Sequence, residues 1–350
     1  MRWSAPLHYV NALDDHPPQT CAFPGSRGWG GKQGGNVLGA IRNVTNVLEE
    51  AYPRYRIATS YPDDSANEAL KFLVHFLGDL HMPLHLAGRD RGGNSQKVRF
   101  DGRITSETYP RRYTFLLTVQ RLDLHSLWDG LLIARAIREV PRNYSRPLPY
   151  DQVEFALRGT IYDSYVRRIM WEGILGRWKD EILNWTSCPA TTKGSPSTPR
   201  GSLWQQVVSK MHTFSSGDIA YETDDDILCP YHWARPIHEL NCDLVWPKAL
   251  DEPPYAPVIT LQGSGTGSLA DYTRAEISFD DVDEDSVDTG KRVYLELDTP
   301  EYAGVISRTM LVEKLLAQAG IRLAAVINSL FADLEVVGLG RSSAGQSESS

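Results

Sequence analysis

Basic charge is in short supply. The 350 residues carry 36 Lys and Arg against 44 Asp and Glu, for a net charge of −8 and a pI near 5.6. This excludes a protein held to nucleic acid mainly by a broad basic surface, but not an enzyme that grips a few phosphates through metal ions. No stretch approaches the roughly 20 apolar residues of a membrane span. The opening MRWSAPLHYV has no apolar core, so no signal peptide is read. Cysteine is scarce: Cys21, Cys188, Cys229 and Cys242 are never spaced C-x-x-C. That argues against a zinc ribbon and leaves room for two disulfides. What remains is the composition of an ordinary globular protein, 41% hydrophobic and 23% charged, long enough for one large domain or two small ones. Triplets beginning at Asn43, Asn143 and Asn184 are acceptors for N-glycosylation. Sequons and an even cysteine count suit a secreted protein, while the N-terminus lacks the export signal.

Apolar residues recur at helical spacing over 37–50 and, more strongly, over 65–81, where Pro83 is expected to end or kink the helix. GRDRGGN at 88–94 reads as a loop, and QKVRF at 96–100 alternates as a strand would. Helices are expected over 125–138, 150–184, 203–213, 233–246 and 301–333, with a Pro/Ser/Thr-rich loop at 187–202. Residues 250–300 pass through GSGTGS into DDVDEDSVD and read as an acidic surface insertion. The fold class is therefore mainly α: one helical domain over 1–333 with a small β element and surface insertions. Residues 334–350 form a tail expected to be disordered.

Four of the nine histidines lie between positions 75 and 125. His75 and Asp79 are four residues apart, about 40° around a helix and one turn along it. His125 and Asp129 repeat the spacing, and His85 follows Pro83. Two such pairs with a third imidazole form a mixed nitrogen and oxygen donor set. It suits zinc better than magnesium or calcium, which prefer oxygen. A single histidine on an apolar helix is more often a satisfied core residue; the repetition favours metal. His81 falls on another helical face, expected to support a ligand from behind or to face solvent. His16, His212, His232 and His238 have no matching carboxylate in the sequence and are assigned structural roles.

FLVHFLGDLHMPLH, GGN, KVRFDG and LHSLWD, in this order, resemble the zinc-dependent single-strand nuclease and 3′-nucleotidase family of fungi and plants. That family shares its helical fold with bacterial zinc phospholipase C. SAPLHYVNALDDHPPQTC at 4–21, WARPIHELNCDLVWP at 233–247 and the last helix extend the resemblance. It implies a cluster of three zinc ions. His8, His75 and Asp79 match ligands of one, and His85, His125 and Asp129 match the protein ligands of a second. Asp79 would also reach the third. Tyr9 matches an aromatic that stacks on a nucleobase. Asn11 stands where the family usually has a base-reading aspartate. Cys21 is expected to pair with Cys242, leaving Cys188 and Cys229 to pair with each other. The implied activity is metal-assisted hydrolysis of single-stranded DNA and RNA and of the 3′-phosphate of nucleotides by a zinc-activated water. The implied partners are nucleic acid and nucleotides, with no membrane and no obligate protein partner.

The chain also departs from the resemblance. The family's earliest zinc ligands lie upstream of the segment that begins this chain, so the third site is expected to keep Asp79 alone. The missing region would also hold the signal peptide, so the chain reads as a piece of a secreted enzyme with Met1 internal. Residues 104–119 add about a dozen residues between FDG and LHSLWD beside the metal site, as a loop insertion or a translated intron. Two alternatives stand beside the nuclease: a zinc-binding remnant, catalytically impaired or inactive because of the missing ligands, and a phospholipase C-like phosphodiesterase.

Overall fold

Asn36 begins the first long helix. Its Oδ1 accepts the Gly39 N–H at 3.1 Å, closing one of the amides left open at a helix start. In the computed structural model, which describes residues 2–57, 64–102, 122–189, 223–256 and 293–331, helix α1 then runs Val37–Ile57. Helix α2, Asp64–Leu80, packs along it and buries Leu73, Phe76, Leu77 and Leu80. Each such side chain contributes roughly 1.5–3 kcal/mol. Pro83 opens a 3₁₀ turn, Pro83–Leu86, where its missing N–H costs no helical bond.

Helix α3 spans 124–139 and starts on a reciprocal cap: the Ser126 N–H donates to Asp123 Oδ1 at 2.8 Å and the Asp123 N–H to Ser126 Oγ at 3.3 Å. A π turn over Leu127–Leu131 interrupts it. The helix expected over 150–184 is three: α4 (Asp151–Leu157), α5 (163–177) and α6 (Ile182–Trp185). Gly159 at φ 80° makes the first break, a conformation that disfavours a Cβ. Helix α7 covers 230–245 with Pro230 in its first turn. The final helix also divides, into α8 (Ala303–Thr309) and α9 (Leu311–Phe331), because Met310 is left-handed at φ 54°. At the break Thr309 donates to Val305 O at 2.9 Å and Arg177 to Arg308 O at 2.8 Å, which satisfies carbonyls the helix leaves open.

Helix α9 corrects the reading that no stretch resembles a membrane span, since it is long and apolar enough to be one. It packs against α2 and buries Val312, Leu315 and Val326 together with the charged Glu313 and Arg322. The strand expected at 96–100 is reduced to isolated bridges, Lys97 to Asp123 and Arg99 to Glu296, and the other β pairings among the described residues are the single bridges Ala12–Trp29 and His16–Thr20. Val98 donates to Leu122 O at 3.1 Å on one side, and Arg99 to Leu295 O at 2.8 Å on the other. A buried relay ties the helices around this ribbon: Trp128 Nε1–H donates to Tyr302 Oη at 2.7 Å, and Tyr302 donates to Val245 O at 2.8 Å. Disulfides join Cys21 to Cys242 and Cys188 to Cys229. The insertion 104–119, the helix expected at 203–213 with His212, most of 187–202 and of 250–300, and the tail 334–350 lie outside the described residues.

Candidate metal centre

Two segments build the first set at the C-terminal end of α2. His8 closes a 3₁₀ turn, Arg2–His8; His75 and Asp79 lie one turn apart on α2, as their spacing predicts. His8 Nδ1 is 2.8 Å and His75 Nε2 3.5 Å from Asp79 Oδ2. The two imidazoles stand perpendicular, 4.8 Å between ring centres, and Phe76 backs His8 at 5.2 Å. One donor atom from each of the three residues lies within 4.8 Å of the others.

A second set forms beside it from His85, His125 and Asp129, with donor atoms again within 4.8 Å. His85 Nδ1–H donates to His8 O at 2.6 Å and His125 Nδ1–H to Gly92 O at 2.8 Å. A carbonyl only accepts, so each Nδ1 carries a proton, and in the neutral ring that metal ligation requires Nε2 keeps the lone pair. The two rings stack 4.9 Å apart. His85 Nε2 is buried and has no hydrogen-bond partner in the protein, an arrangement that costs free energy unless something receives the lone pair. Gly92 makes its carbonyl available from an unusual backbone: Asp90, Arg91, Gly92 and Gly93 all have positive φ. A Cβ on Gly92 would lie 2.4 Å from Leu84 O.

Asp79 links the two sets, its Oδ1 standing 3.5 Å from His85 Nδ1. Burial pushes the Asp79 carboxyl up to about 7; the nearby His75 opposes this and the Asp129 charge adds to it. Burial also holds His85 down to about 4 and lowers His8. A bound cation reverses the first effect and is favoured by the second. The unpartnered His85 nitrogen and the mixed imidazole and carboxylate donors fit zinc, and both sets could hold one ion.

The sequence model of the S1/P1 Nuclease family matches residues 1–256. The chain belongs to this family. Endonuclease 2 of Arabidopsis thaliana is 30% identical over 195 residues, 54% of this chain and 52% of the relative. Nuclease S1 of Aspergillus oryzae is 35% identical over 128 residues, 36% of this chain and 34% of the relative. Nuclease P1 of Penicillium citrinum is 38% identical over 101 residues, 29% of this chain and 33% of the relative. The chain thus spans about half the length of the plant relatives and a third of the fungal ones.

In this S1/P1 family member the remaining histidines divide sharply. His81 neither faces solvent nor reaches a metal set. It is 4% exposed, donates to Leu77 O at 2.7 Å and accepts from Arg322 at 2.7 Å. His238 does have a carboxylate, contrary to the sequence reading: its Nε2 lies 2.9 Å from Asp15 Oδ1 across 223 positions, which no local spacing reveals. His16 contacts Gln19 at 3.3 Å, and His232 sits beside Asp224, which takes its backbone N–H at 2.9 Å. Tyr9 and Asn11 are exposed next to His8, and the Asn11 amide lies in the close gap facing Gly30 and Gly88. The sequon residues Asn43, Asn143 and Asn184 are exposed. The residue missed from sequence is Gly92; its signal was the GG pair, which marked a loop but not a carbonyl aimed at His125.

Proposed function

We propose that this chain is a zinc-dependent hydrolase of phosphodiester bonds in single-stranded DNA and RNA and of the 3′-phosphate of nucleotides. The observation that carries this reading is the pair of Nδ1–H bonds to backbone carbonyls, which leaves the Nε2 atoms of His85 and His125 committed to nothing else beside Asp129. When bound, zinc would supply Lewis-acid charge and a water whose pKa falls from 15.7 to about 7. His85, His125 and Asp129 would hold one ion. His8, His75 and Asp79 would hold another, with Asp79 coupling the two. No side-chain nucleophile is needed. Exposed Tyr9 would stack on an unpaired base, worth roughly 1–3 kcal/mol, which favours single strands. Two disulfides and three exposed sequons support export from the cell.

A second reading, metal binding without turnover, is favoured by the donor count. Among the described residues only two sets of this kind meet at the end of α2, each with three donors. The deciding experiment is the initial rate on heat-denatured DNA with added zinc and after chelation, with phosphatidylcholine as a competing substrate. The proposal expects zinc-dependent cleavage of denatured DNA, little of duplex, and none of the lipid. Zinc uptake with no cleavage establishes the second reading, and lipid hydrolysis alone would make the chain a phospholipase.

A further inference from the structure

A third group of donors converges away from the two metal sets. Asp15, Cys21 and His238 place ligand atoms within 4.8 Å of one another, and Cys242 Sγ is bonded to Cys21 Sγ. The Asp15 and His238 side chains are 0% and 1% exposed. Asp15 Oδ2 accepts the Gly88 N–H at 3.0 Å and Oδ1 the Ala22 N–H at 3.1 Å, so the carboxylate is held from behind as ligating carboxylates are. In the oxidised chain the two sulfurs are spent on each other, and the carboxylate and imidazole hydrogen-bond. A dithiol reductant changes the donor set. It gives two electrons and two protons, the Sγ–Sγ bond breaks to two thiols, and the dithiol closes to its own disulfide.

We propose that the reduced chain binds one zinc ion through Cys21, Cys242, His238 and Asp15. Both thiols lose their protons to solvent on binding, and the imidazole proton moves to Nδ1 to free Nε2. Two thiolates, one imidazole and one carboxylate make a four-coordinate closed site. The metal and the disulfide are then alternative cross-links between the same two points, 221 positions apart. Either one fastens the segment carrying His8 and Tyr9 to α7. The site is chemically separable from the other two sets, which contain no sulfur.

The test uses the full chain carrying Cys188→Ser and Cys229→Ser, alongside the unaltered chain, each reduced with dithiothreitol and desalted without oxygen. Titration with Co²⁺ should show one more equivalent bound than in the oxidised protein, with an intense sulfur-to-cobalt charge-transfer absorption. His238→Ala and Asp15→Asn should each weaken this binding by more than about tenfold while leaving the oxidised protein's metal uptake unchanged. An unchanged metal count, or no sulfur absorption, overturns the proposal. So does sulfur absorption whose affinity ignores both substitutions, since that is binding by two thiols alone. If reduction unfolds the metal-free chain, adding Zn²⁺ should restore its helical circular dichroism, and failure to do so also overturns it.

Discussion

The two metal sets at the end of α2 share chemistry but not construction. In the set built from His85, His125 and Asp129, each imidazole is pinned by a backbone carbonyl, and the buried His85 Nε2 has no hydrogen-bond partner in the protein. In the set built from His8, His75 and Asp79, the donors lean on one another. His8 Nδ1 bonds Asp79 at 2.8 Å, and the His75 side chain is 59% exposed. The first arrangement is in place without a metal; the second would have to exchange its own hydrogen bond for one. Preorganisation of this kind reduces the cost of binding, so the carbonyl-pinned set should bind zinc more tightly.

The largest expected effect removes the carboxylate between them. Asp79→Ala should abolish DNA hydrolysis and lower the zinc content of both sets, by more than the roughly 10–100-fold that losing an orienting partner costs. Rates and metal analysis on the purified variant would show this, and loss at only one set would separate what the geometry joins. Next comes the direct contrast. His125→Ala should remove the tighter site and most of the activity, while His75→Ala should remove the weaker one and keep more. Equal losses in zinc titrations of the two variants would erase the difference drawn here. Gly92→Ala should cost roughly 10–100-fold in zinc affinity at the pinned set alone, because its Cβ would strike Leu84 O and shift the carbonyl that holds His125. The smallest effect is a control remote from both sets. Glu154 is held down to about 2, chiefly by hydrogen bonds from Arg167. A carboxylate lowered on folding adds stability above its unfolded value, and that stability fades as pH falls toward 2. Glu154→Gln should therefore flatten the acid limb of thermal unfolding between pH 4.5 and 2 and leave zinc binding at both sets unchanged.

Much of this site was legible because it is local. Two His-x-x-x-Asp spacings placed their donors on α2 and α3, and the apolar spacing around them marked both stretches as helices. The order of motifs extended the reading to His8 and His85 and to the cysteine pairs. The unread parts depend on distance along the chain or on backbone shape. The Asp15–His238 and His81–Arg322 contacts join positions more than 200 apart, beyond any periodicity. The breaks at Gly159 and Met310 and the left-handed run at Asp90–Gly93 lie in positive φ values, which helical periodicity does not report. Met310 is an example: the sequence pattern around it suits one continuous helix, yet it is left-handed and sits 1% exposed in the secondary core.

The central claim is that hydrolysis runs on a zinc site prepared in advance by His85, His125 and Asp129. Its most direct test is a zinc titration of the oxidised, metal-free chain with cleavage of denatured DNA followed at each step, repeated for His125→Ala and His75→Ala. The account predicts a tight site that vanishes in His125→Ala together with activity, and a weaker site that vanishes in His75→Ala. Tight binding and full activity surviving in His125→Ala would contradict it.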